Sequence, residues 1–304
     1  MSIDITAYKN KITKERNLLF KTSFERAYQA FIELGYNKKT PSYFLNNASK
    51  VIEKMREQCW IDFLVEEKLF TAHMLEYLIP FEKYNTSNCQ EAIKHYVNVF
   101  PEHIYTLCLS NTQSRRSRAG KEFEHILELV LISAGVDFDS QGNIGKDNFI
   151  KKGLGKLVDI VSPGATEFEI NKRNTILISA KTTLRERWQE VPEEMGRTGA
   201  REMFLATLDD KISDNVLNTL YEANIQLTTT YNIKKNNLNN NNRIISFEEL
   251  IKLCLENQQK WRDYKYSNEQ SKQAINLLDK QIEKHYDHNF IKKALQRRKS
   301  VYKD

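Results

Sequence analysis

The most informative segment of the chain is Thr175-Ile-Leu-Ile-Ser-Ala-Lys181-Thr-Thr-Leu-Arg-Glu-Arg-Trp188. It opens as a short run of apolar and β-branched residues, which predicts a buried strand. The strand ends on Lys181, and a charged group that leaves water needs a partner. Asp159 lies in the preceding apolar stretch, residues 157–161. Two adjacent strands would therefore place this acid beside the lysine.

Two acids and a lysine at neighbouring strand ends suit metal-assisted cleavage of a phosphodiester. Carboxylates of Asp159 and Glu194 would bind Mg²⁺, which lowers the pKa of a bound water and offsets phosphate charge. Lys181 would orient the attacking water and stabilise the pentavalent phosphate. Nucleases usually carry an acid two residues before this lysine, but Ser179 stands there. Glu194 from the following helix is the predicted substitute. The alternative is a purely structural ion pair between Asp159 and Lys181, which would stabilise the fold only weakly.

These residues, with Thr182-Thr183, Arg185-Glu186-Arg187-Trp188 and the upstream segment 114–124, resemble the type II restriction endonucleases of the SsoII group. These enzymes are relatives of EcoRII that cut CCNGG sites. The resemblance is strongest over residues 110–200. It implies an α/β fold with a restriction-endonuclease-like, PD-(D/E)XK core, in which helices flank a mixed sheet, and a helical N-terminal region. It also implies Mg²⁺-dependent cleavage of both DNA strands before the first C, and a cognate DNA methyltransferase as functional partner.

The triplet Arg185-Glu186-Arg187 is the candidate element for sequence recognition. Arginine can clamp guanine O6 and N7 with two hydrogen bonds, and glutamate can accept one from cytosine N4. The resemblance implies that this triplet reads the CC/GG half-site and that Gln113 contacts an outer base pair. The alternative is a helix start with local salt bridges, each usually worth less than about 1 kcal/mol.

A helix that begins near Asn46-Asn47 carries Arg56 and Trp60 on one face, because they are four residues apart. Composition alone favours a core tryptophan and a solvated arginine. The resemblance implies that both residues hold a nucleotide of the central base pair after it is flipped out of the duplex. Stacking on an indole provides about 1–3 kcal/mol per base. Because stacking reads no base edge, such a pocket would accept any nucleotide at N.

Basic residues precede a predicted amphipathic helix that begins at Lys121 and ends at Gly135. Arg115, Arg116 and Arg118 suit contacts with the DNA backbone, although charged runs are usually a solvated surface. Glu124 lies beside the apolar stripe of this helix. It is either a surface acid or, as the resemblance implies, a further acid near the metal site.

Composition sets only broad limits on the function. The chain has 304 residues, and 46 Lys and Arg against 40 Asp and Glu give a net charge of +6. The four cysteines form no CxxC pair, which favours reduced residues over zinc ligands or disulfides. Because no apolar leader or 18-residue apolar run occurs, we expect an intracellular protein, and the resemblance implies the cytoplasm of a bacterium. A palindromic site read by one short triplet per chain predicts a homodimer.

We expect three regions: a mainly helical one at 1–105, a core of strands and helices at 106–260 and a helical extension at 261–304. The resemblance implies that the first contributes DNA contacts and the nucleotide pocket and that the second is the nuclease core. A β-hairpin is predicted within residues 136–161 and a short edge strand at Glu167–Ile170. Strands are predicted at 203–207 and 225–231, with a helix between them. The basic residues of the tail, which include Arg297 and Arg298, are expected on a solvated or partner-facing helix.

Two other functions are compatible with these residues. A repair or junction-resolving nuclease of the same fold would keep the acids and Lys181 but select DNA by its shape. A non-catalytic DNA-binding regulator would bind without cutting. Digestion of a plasmid distinguishes all three, since only a restriction enzyme yields discrete fragments that map to one sequence.

Overall fold

The structure, a computed structural model, describes residues 3–79, 88–185, 187–238 and 240–303. The chain forms two compact units, one from residues 1–30 and 57–122 and the other from residues 31–56 and 123–304. The units interleave along the sequence, so the boundaries after residues 105 and 260 stay predictions. Among the residues that the structure describes, none of the helices combines the length and apolarity that a membrane span requires.

The N-terminal part of the chain is helical, as predicted. Gly35, in the left-handed region with φ of 70°, follows the end of α2, and Pro41 occupies the first position of α3. Proline is well suited to that position because its missing N–H would have no helical partner. Asn47 interrupts α3 with non-helical backbone angles, close to the predicted helix start. The helices are α1 (Ile5–Leu19), α2 (Ser23–Glu33), α3 (Pro41–Glu76), α4 (Cys89–Val99) and α5 (Pro101–Ser133).

The predicted start of α5 at Lys121 is wrong. The helix begins at Pro101, and the basic residues Arg115, Arg116 and Arg118 therefore lie within it rather than before it. Polar residues at 110–117 hide the apolar periodicity on which the prediction relied. The predicted end is confirmed, because α5 stops at Ser133 and Gly135 has φ of 84°.

A mixed six-stranded sheet forms the centre of the second unit and confirms the predicted architecture. Its order is β1-β2-β3-β4-β5-β6 among the described residues. β1, β2 and β3 pair antiparallel, whereas β3 to β6 are parallel. The strands are β1 (Asp139–Ser140), β2 (Ile160–Ser162), β3 (Ile176–Lys181), β4 (Met203–Thr207), β5 (Ile225–Thr229) and β6 (Ile244–Ser246).

Helices flank this sheet and bury its apolar residues. Leu177, Leu205 and Leu227 of the three central strands belong to one core cluster with Val191 and Leu220 of the flanking helices. The further helices are α6 (Gln141–Ile144), α7 (Lys146–Lys151), α8 (Ala165–Ile170), α9 (Glu190–Thr198), α10 (Asp214–Glu222), α11 (Tyr231–Asn236), α12 (Phe247–Gln259), α13 (Asn268–Lys284) and α14 (Asn289–Ser300).

Two strand predictions are wrong in detail. β1 and β2 do pair antiparallel, but the helices α6 and α7 stand between them instead of a hairpin turn. Ser140 caps α6 by accepting a hydrogen bond from the Asn143 amide at 3.3 Å. Residues 167–170 lie in α8 rather than in an edge strand. The Glu-Phe-Glu-Ile alternation misleads because Glu167 is completely buried, where its Oε1 accepts hydrogen bonds from two tyrosine hydroxyls.

Arg298 of α14 overturns the expectation of a solvated or partner-facing tail. It is buried, and its guanidinium donates to Asp139 Oδ1 at 2.8 Å. Its neighbour Arg297 is exposed and pairs with Asp137 at 3.1 Å. The helical nature of the tail is confirmed, but one of its basic residues belongs to the interior.

Candidate active site

The ends of β2 and β3 bring Asp159 and Lys181 together. The register pairs Ile160 with Ile178, and the Asp159 amide, one residue before β2, donates to the Ile178 carbonyl at 3.0 Å. Lys181 is the last residue of β3 and donates from Nζ to Asp159 Oδ2 at 3.0 Å. The same Nζ also donates to the Ala180 carbonyl at 3.1 Å. The lysine is thus held against the acid from its own strand.

Asp159 accepts side-chain hydrogen bonds through only one of its two carboxylate oxygens among the described residues. Its Oδ2 accepts from the Ala180 amide at 2.7 Å as well as from Lys181. Within the described residues, both side-chain bonds of Asp159 end on this oxygen, which leaves Oδ1 for another ligand. The residue is only 9% exposed, so its carboxylate lies at the inner edge of the strand ends rather than in open solvent.

Ser179 occupies the position where nucleases of this fold usually have an acid. It is completely buried, and its Oγ has no hydrogen-bond partner among the described residues. Since side chains two residues apart share one face of a strand, Ser179 and Lys181 point to the same side. That face offers a hydroxyl instead of a carboxylate, so a second acid must come from elsewhere.

Glu194 approaches from α9, the helix that follows the recognition triplet. It is buried, and its Oε1 accepts from the Leu157 amide at 3.2 Å, in the segment that leads to Asp159. Its Oε2 lies 4.0 Å from Arg197. A Cβ atom at Gly155 would stand 1.8 Å from Glu194 Oε1. Only glycine at this position therefore lets the glutamate lie against the segment before β2.

The donor set fits a hard divalent cation. Mg²⁺ typically takes one or two protein carboxylates and keeps several waters or substrate oxygens. Ligation of such an ion by Oδ1 of Asp159 and the carboxylate of Glu194 stays a prediction. Within the described ranges, no three His, Cys, Asp or Glu side chains are grouped closely enough to hold a metal by themselves. Glu124 is half-buried on α5, and its supporting role stays a prediction.

The recognition segment follows directly after β3. Arg185 is exposed and has φ of 41°, a left-handed conformation that side chains rarely adopt. The preceding residue, Leu184, is buried, and its amide donates to Asp209 Oδ2 at 2.9 Å. Arg187 begins a short 3₁₀ helix that ends at Gln189. Glu186 lies outside the described residues, as does the side chain of Arg187. Base reading by the triplet stays a prediction.

Trp60 of α3 is not an ordinary core residue, although composition favoured that interpretation. Its side chain is 45% exposed and stacks on Phe63, with ring centroids 5.7 Å apart. The guanidinium of Arg115 lies 5.6 Å from the indole. Arg56 is half-buried one turn earlier on the same helix. The exposed indole suits the stacking role, which stays a prediction.

The predicted backbone-contacting arginines differ in their surroundings. Arg115 donates from Nε to Glu67 at 2.9 Å. Arg118 donates to the Lys21 carbonyl at 2.8 Å, and burial, followed by the charge of Arg26, lowers its pKa. Arg116 and the predicted base reader Gln113 are exposed on α5. Arg116 is therefore the member of the group best placed for a phosphate.

Two residues of this region escaped the sequence interpretation. Asp209 follows β4 and reaches the recognition segment, and Gly155 accommodates Glu194. An acid shortly after a parallel strand is a usable signal, because carboxyl ends of neighbouring parallel strands meet at one edge of a sheet. The contact between residues 155 and 194 has no comparable signal in a single sequence.

Comparison with known proteins identifies relatives along nearly the whole chain. Residues 81–251 match the family model described as the EcoRII C terminal. The chain is 50% identical over 284 residues to the type II restriction enzyme SsoII of Shigella sonnei, which covers 93% of each protein.

Solved structures agree with this relationship. Metal-depleted Ecl18kI in complex with uncleaved, modified DNA is 47% identical, with a TM-score of 0.92 over 98% of this chain and 99% of that one. The PspGI–substrate DNA complex is 18% identical with a TM-score of 0.60 over 85% of this chain and 98% of that chain, a likeness of fold alone. The predicted restriction-endonuclease-like fold is confirmed.

Proposed function

Because the chain belongs to the EcoRII C-terminal family of type II restriction endonucleases and to its SsoII group, we propose that it cleaves both strands of CCNGG sites before the first C, with Mg²⁺ as cofactor. The supporting observation is the pairing of Lys181 with one oxygen of a buried Asp159, while the other oxygen has no protein partner among the described residues. A purely structural pair would be expected to use both oxygens.

Each residue at the strand ends has a distinct task in this proposal. Asp159 and Glu194 hold the metal, which when bound acidifies a water and offsets charge on the phosphate. Lys181 keeps its ammonium at the edge of the site, where it orients the attacking water and stabilises the charge of the pentavalent phosphate. The amide of Ala180 fixes the Asp159 carboxylate, so the acid needs little reorganisation during the reaction.

DNA recognition is assigned to the remaining predicted residues. Arg185, Glu186 and Arg187 read the G·C pairs of one half-site, and Gln113 contacts an outer pair. Trp60 stacks on the extruded central nucleotide, with Arg56 one turn away on the same helix. Arg116, with Arg115 and Arg118, contacts the phosphate backbone. A homodimer reads the palindrome in the bacterial cytoplasm, and a cognate methyltransferase protects the host sites.

A plasmid digest tests this proposal. Supercoiled DNA with one CCNGG site should become linear in Mg²⁺ and remain intact in EDTA, and end mapping should place both cuts before the first C. A plasmid in which the site is changed to CTNGG is the control. Cleavage that follows branched or damaged DNA would favour a structure-specific nuclease, and binding without cleavage would favour a regulator.

Nucleotide extrusion has a separate test. The base 2-aminopurine at the central position should brighten when the protein binds in Ca²⁺ or without metal, because an extruded base loses its stacking in the duplex. The Trp60→Ala variant should bind the site more weakly and change the signal. Unchanged fluorescence with saturating protein would contradict this part of the proposal.

A further inference from the structure

A short irregular segment, residues 155–158, connects the two acids of the candidate active site. It leads directly to Asp159, and the Leu157 amide within it donates to Glu194 Oε1 at 3.2 Å. The segment belongs to neither a helix nor a strand, so no regular ladder of hydrogen bonds fixes its peptide groups. Its conformation therefore affects how Glu194 stands relative to Asp159.

Apolar burial holds this segment in place but does not orient its peptide groups. Leu154, just before the segment, and Val158 within it are buried and belong to the core cluster of the sheet. Apolar burial is non-directional, so it does not select the tilt of a carbonyl or an amide. A backbone hydrogen bond within the segment, from the Val158 amide to the Gly155 carbonyl, is long at 3.4 Å. Directional contacts from outside the segment are needed to orient it.

Gln141, the first residue of α6, supplies three such contacts. Its backbone amide donates to the Asp159 carbonyl at 2.8 Å. The first amides of a helix have no partner inside the helix, so this one is available for the bond. The side-chain Nε2 donates to the Lys156 carbonyl at 3.2 Å and to the Val158 carbonyl at 3.3 Å. A side-chain amide carries two N–H groups, which match these two carbonyls.

The first of the two side-chain contacts reaches Glu194 through a peptide unit. The carbonyl of one residue and the amide of the next lie in one rigid plane. The Lys156 carbonyl, which accepts from Gln141, therefore shares its plane with the Leu157 amide. That amide is the donor to Glu194. Loss of the Gln141 contact would let this plane tilt and would move the donor that holds the Glu194 carboxylate.

The second side-chain contact reaches Asp159 in the same way. The Val158 carbonyl accepts from Gln141 and shares its plane with the Asp159 amide, which donates to the Ile178 carbonyl of β3 at 3.0 Å. The backbone amide of Gln141 holds the other side of Asp159 through its carbonyl. One glutamine thus orients the peptide units that carry Asp159 and that hold Glu194.

We propose that Gln141 is a positioning residue that sets the separation of Asp159 and Glu194 for the divalent cation. The inference rests on the proposed function, because it takes these two acids as ligands of one ion. Gln141 acts through the peptide units between residues 156 and 159. A site must hold its ligands to within about 0.5 Å, and replacing a residue that orients metal ligands typically weakens metal binding by about 10- to 100-fold.

The test is the Ca²⁺ affinity of the full-length protein bound to a CCNGG duplex, measured by isothermal titration calorimetry. Ca²⁺ takes oxygen ligands as Mg²⁺ does, and its binding is measured independently of cleavage. Gln141→Met keeps the length of the side chain, removes both of its N–H groups and retains the backbone bond to Asp159. It should raise the Ca²⁺ dissociation constant by roughly 10- to 100-fold.

The matched control is Gln258→Met. Gln258 is half-buried, as Gln141 is, and it also fixes a main-chain group. Its Oε1 accepts from the Asp137 amide at 2.8 Å, and its Nε2 donates to Asp137 Oδ2 at 3.0 Å. Both methionine variants should lower the urea midpoint of unfolding by similar amounts, but only Gln141→Met should weaken Ca²⁺ binding. A merely structural role of Gln141 would leave the Ca²⁺ affinity of both variants at the wild-type value.

A milder variant covers the case in which methionine at this position impairs folding. Gln141→Asn keeps the amide on a shorter side chain, which should reach at most one of the two carbonyls. Its Ca²⁺ dissociation constant should lie between those of wild type and Gln141→Met. In cleavage assays the half-saturating Mg²⁺ concentration should rise in the same order, while the rate at saturating Mg²⁺ stays near that of wild type. Wild-type Ca²⁺ affinity in both Gln141 variants would overturn the proposal.

Asp159→Asn separates this outcome from that of the proposed function. It removes a predicted ligand and should abolish the Ca²⁺ binding. If it does so while the Gln141 variants bind Ca²⁺ as wild type does, the positioning inference fails and the proposed function stands. If Asp159→Asn binds Ca²⁺ as tightly as wild type, or if wild type binds none, the two-carboxylate site is wrong and both proposals fail.

Discussion

Asp139 lies on β1 and Asp159 directly precedes the neighbouring strand β2, and each acid pairs with one cation. Asp139 uses both oxygens: Oδ1 accepts from Gln281 and Arg298, each at 2.8 Å, while Oδ2 accepts from the Ala165 amide at 2.8 Å and from Arg298 at 3.3 Å. Asp159 uses Oδ2 alone, for Lys181 and the Ala180 amide. Both oxygens of Asp139 are therefore occupied by protein donors, whereas Oδ1 of Asp159 can still accept a ligand.

Their surroundings differ in the same direction. Burial alone would raise the pKa of Asp139, but the charge of Arg298 and hydrogen bonds from Arg298, Ala165 and Gln281 lower it below the ordinary value. The Arg298 side chain is buried beside it, whereas the Lys181 side chain keeps 14% exposure at a strand end. Both acids pair with a cation, so this pairing alone does not indicate a catalytic role. The carboxylate oxygen of Asp159 that has no partner among the described residues is the feature that supports the proposed role.

The largest expected effect concerns the pair of Asp159 and Lys181, in which one carboxylate oxygen remains available. Lys181→Ala should lower the cleavage rate by at least about 10³-fold, since one lost electrostatic stabiliser typically costs 10²–10³ or more. Specific DNA binding and the free energy of unfolding should change little. Single-turnover cleavage and gel-shift titration measure the two effects. The control is Lys252→Ala, which changes an exposed lysine on α12. If Lys181→Ala cleaved as fast as this control, the assignment would be contradicted.

The pair of Asp139 and Arg298 should affect stability rather than cleavage. Arg298→Ala leaves the buried Asp139 without its cation and should lower the free energy of unfolding by about 3–5 kcal/mol. Cleavage per folded molecule should remain near that of wild type. Urea unfolding and active-site-normalised rates measure this. Arg297→Ala removes an exposed pair worth less than about 1 kcal/mol, and equal losses in the two variants would refute a special role for burial.

The free energy of unfolding should also depend on pH, through His285. Burial, the largest cause, lowers the pKa of His285, the residue directly after α13, to about 4 from 6.5. Between these values the unfolded chain binds a proton that the folded chain does not, so stability falls as the pH drops from 6.5 to 4. The full contribution is about 3 kcal/mol. His285→Gln should flatten the stability–pH curve in this window, and a wild-type slope in this variant would contradict the assignment.

A third carboxylate, Asp209, should give a smaller effect that is confined to recognition. Asp209→Ala removes the acceptor for the Leu184 amide and loosens the segment that holds Arg185 in a left-handed conformation. We expect kcat/KM for CCNGG to fall roughly tenfold, mostly through KM, as for one lost hydrogen bond to a charged group. Asp210→Ala, at the exposed neighbouring position, is the control. An unchanged KM would separate Asp209 from recognition.

The pair of Asp159 and Lys181 was predictable from the sequence, and the pair of Asp139 and Arg298 was not. Lys181 ends an apolar, β-branched strand, and Asp159 lies within a neighbouring apolar stretch, so local patterns suffice to place them together. Strand β4 and the capping box of Ser246 on α12 follow from equally local signals. By contrast, Arg298 and Asp139 are joined only in the folded chain. A basic helical tail gives no sign that one of its arginines is buried.

The failures elsewhere have the same origin. Glu167 makes its segment look like an alternating edge strand, but tyrosines from distant parts of the chain bury that glutamate. The lack of an acid at Ser179 predicts Glu194 as the substitute. Its contact with Gly155 became visible only in the structure. Local composition therefore predicts elements and strand ends, whereas burial of charged groups depends on tertiary partners.

The most direct measurement is Mg²⁺-dependent cleavage of a one-site CCNGG plasmid by Glu194→Gln. Glutamine has the volume of glutamate, and its carbonyl can still accept from the Leu157 amide, so the change removes mainly the negative charge. If Asp159 and Glu194 together hold the metal, cleavage should be lost at Mg²⁺ concentrations that saturate wild type, while DNA binding persists. Cleavage by Glu194→Gln with the wild-type Mg²⁺ dependence would contradict the two-carboxylate site.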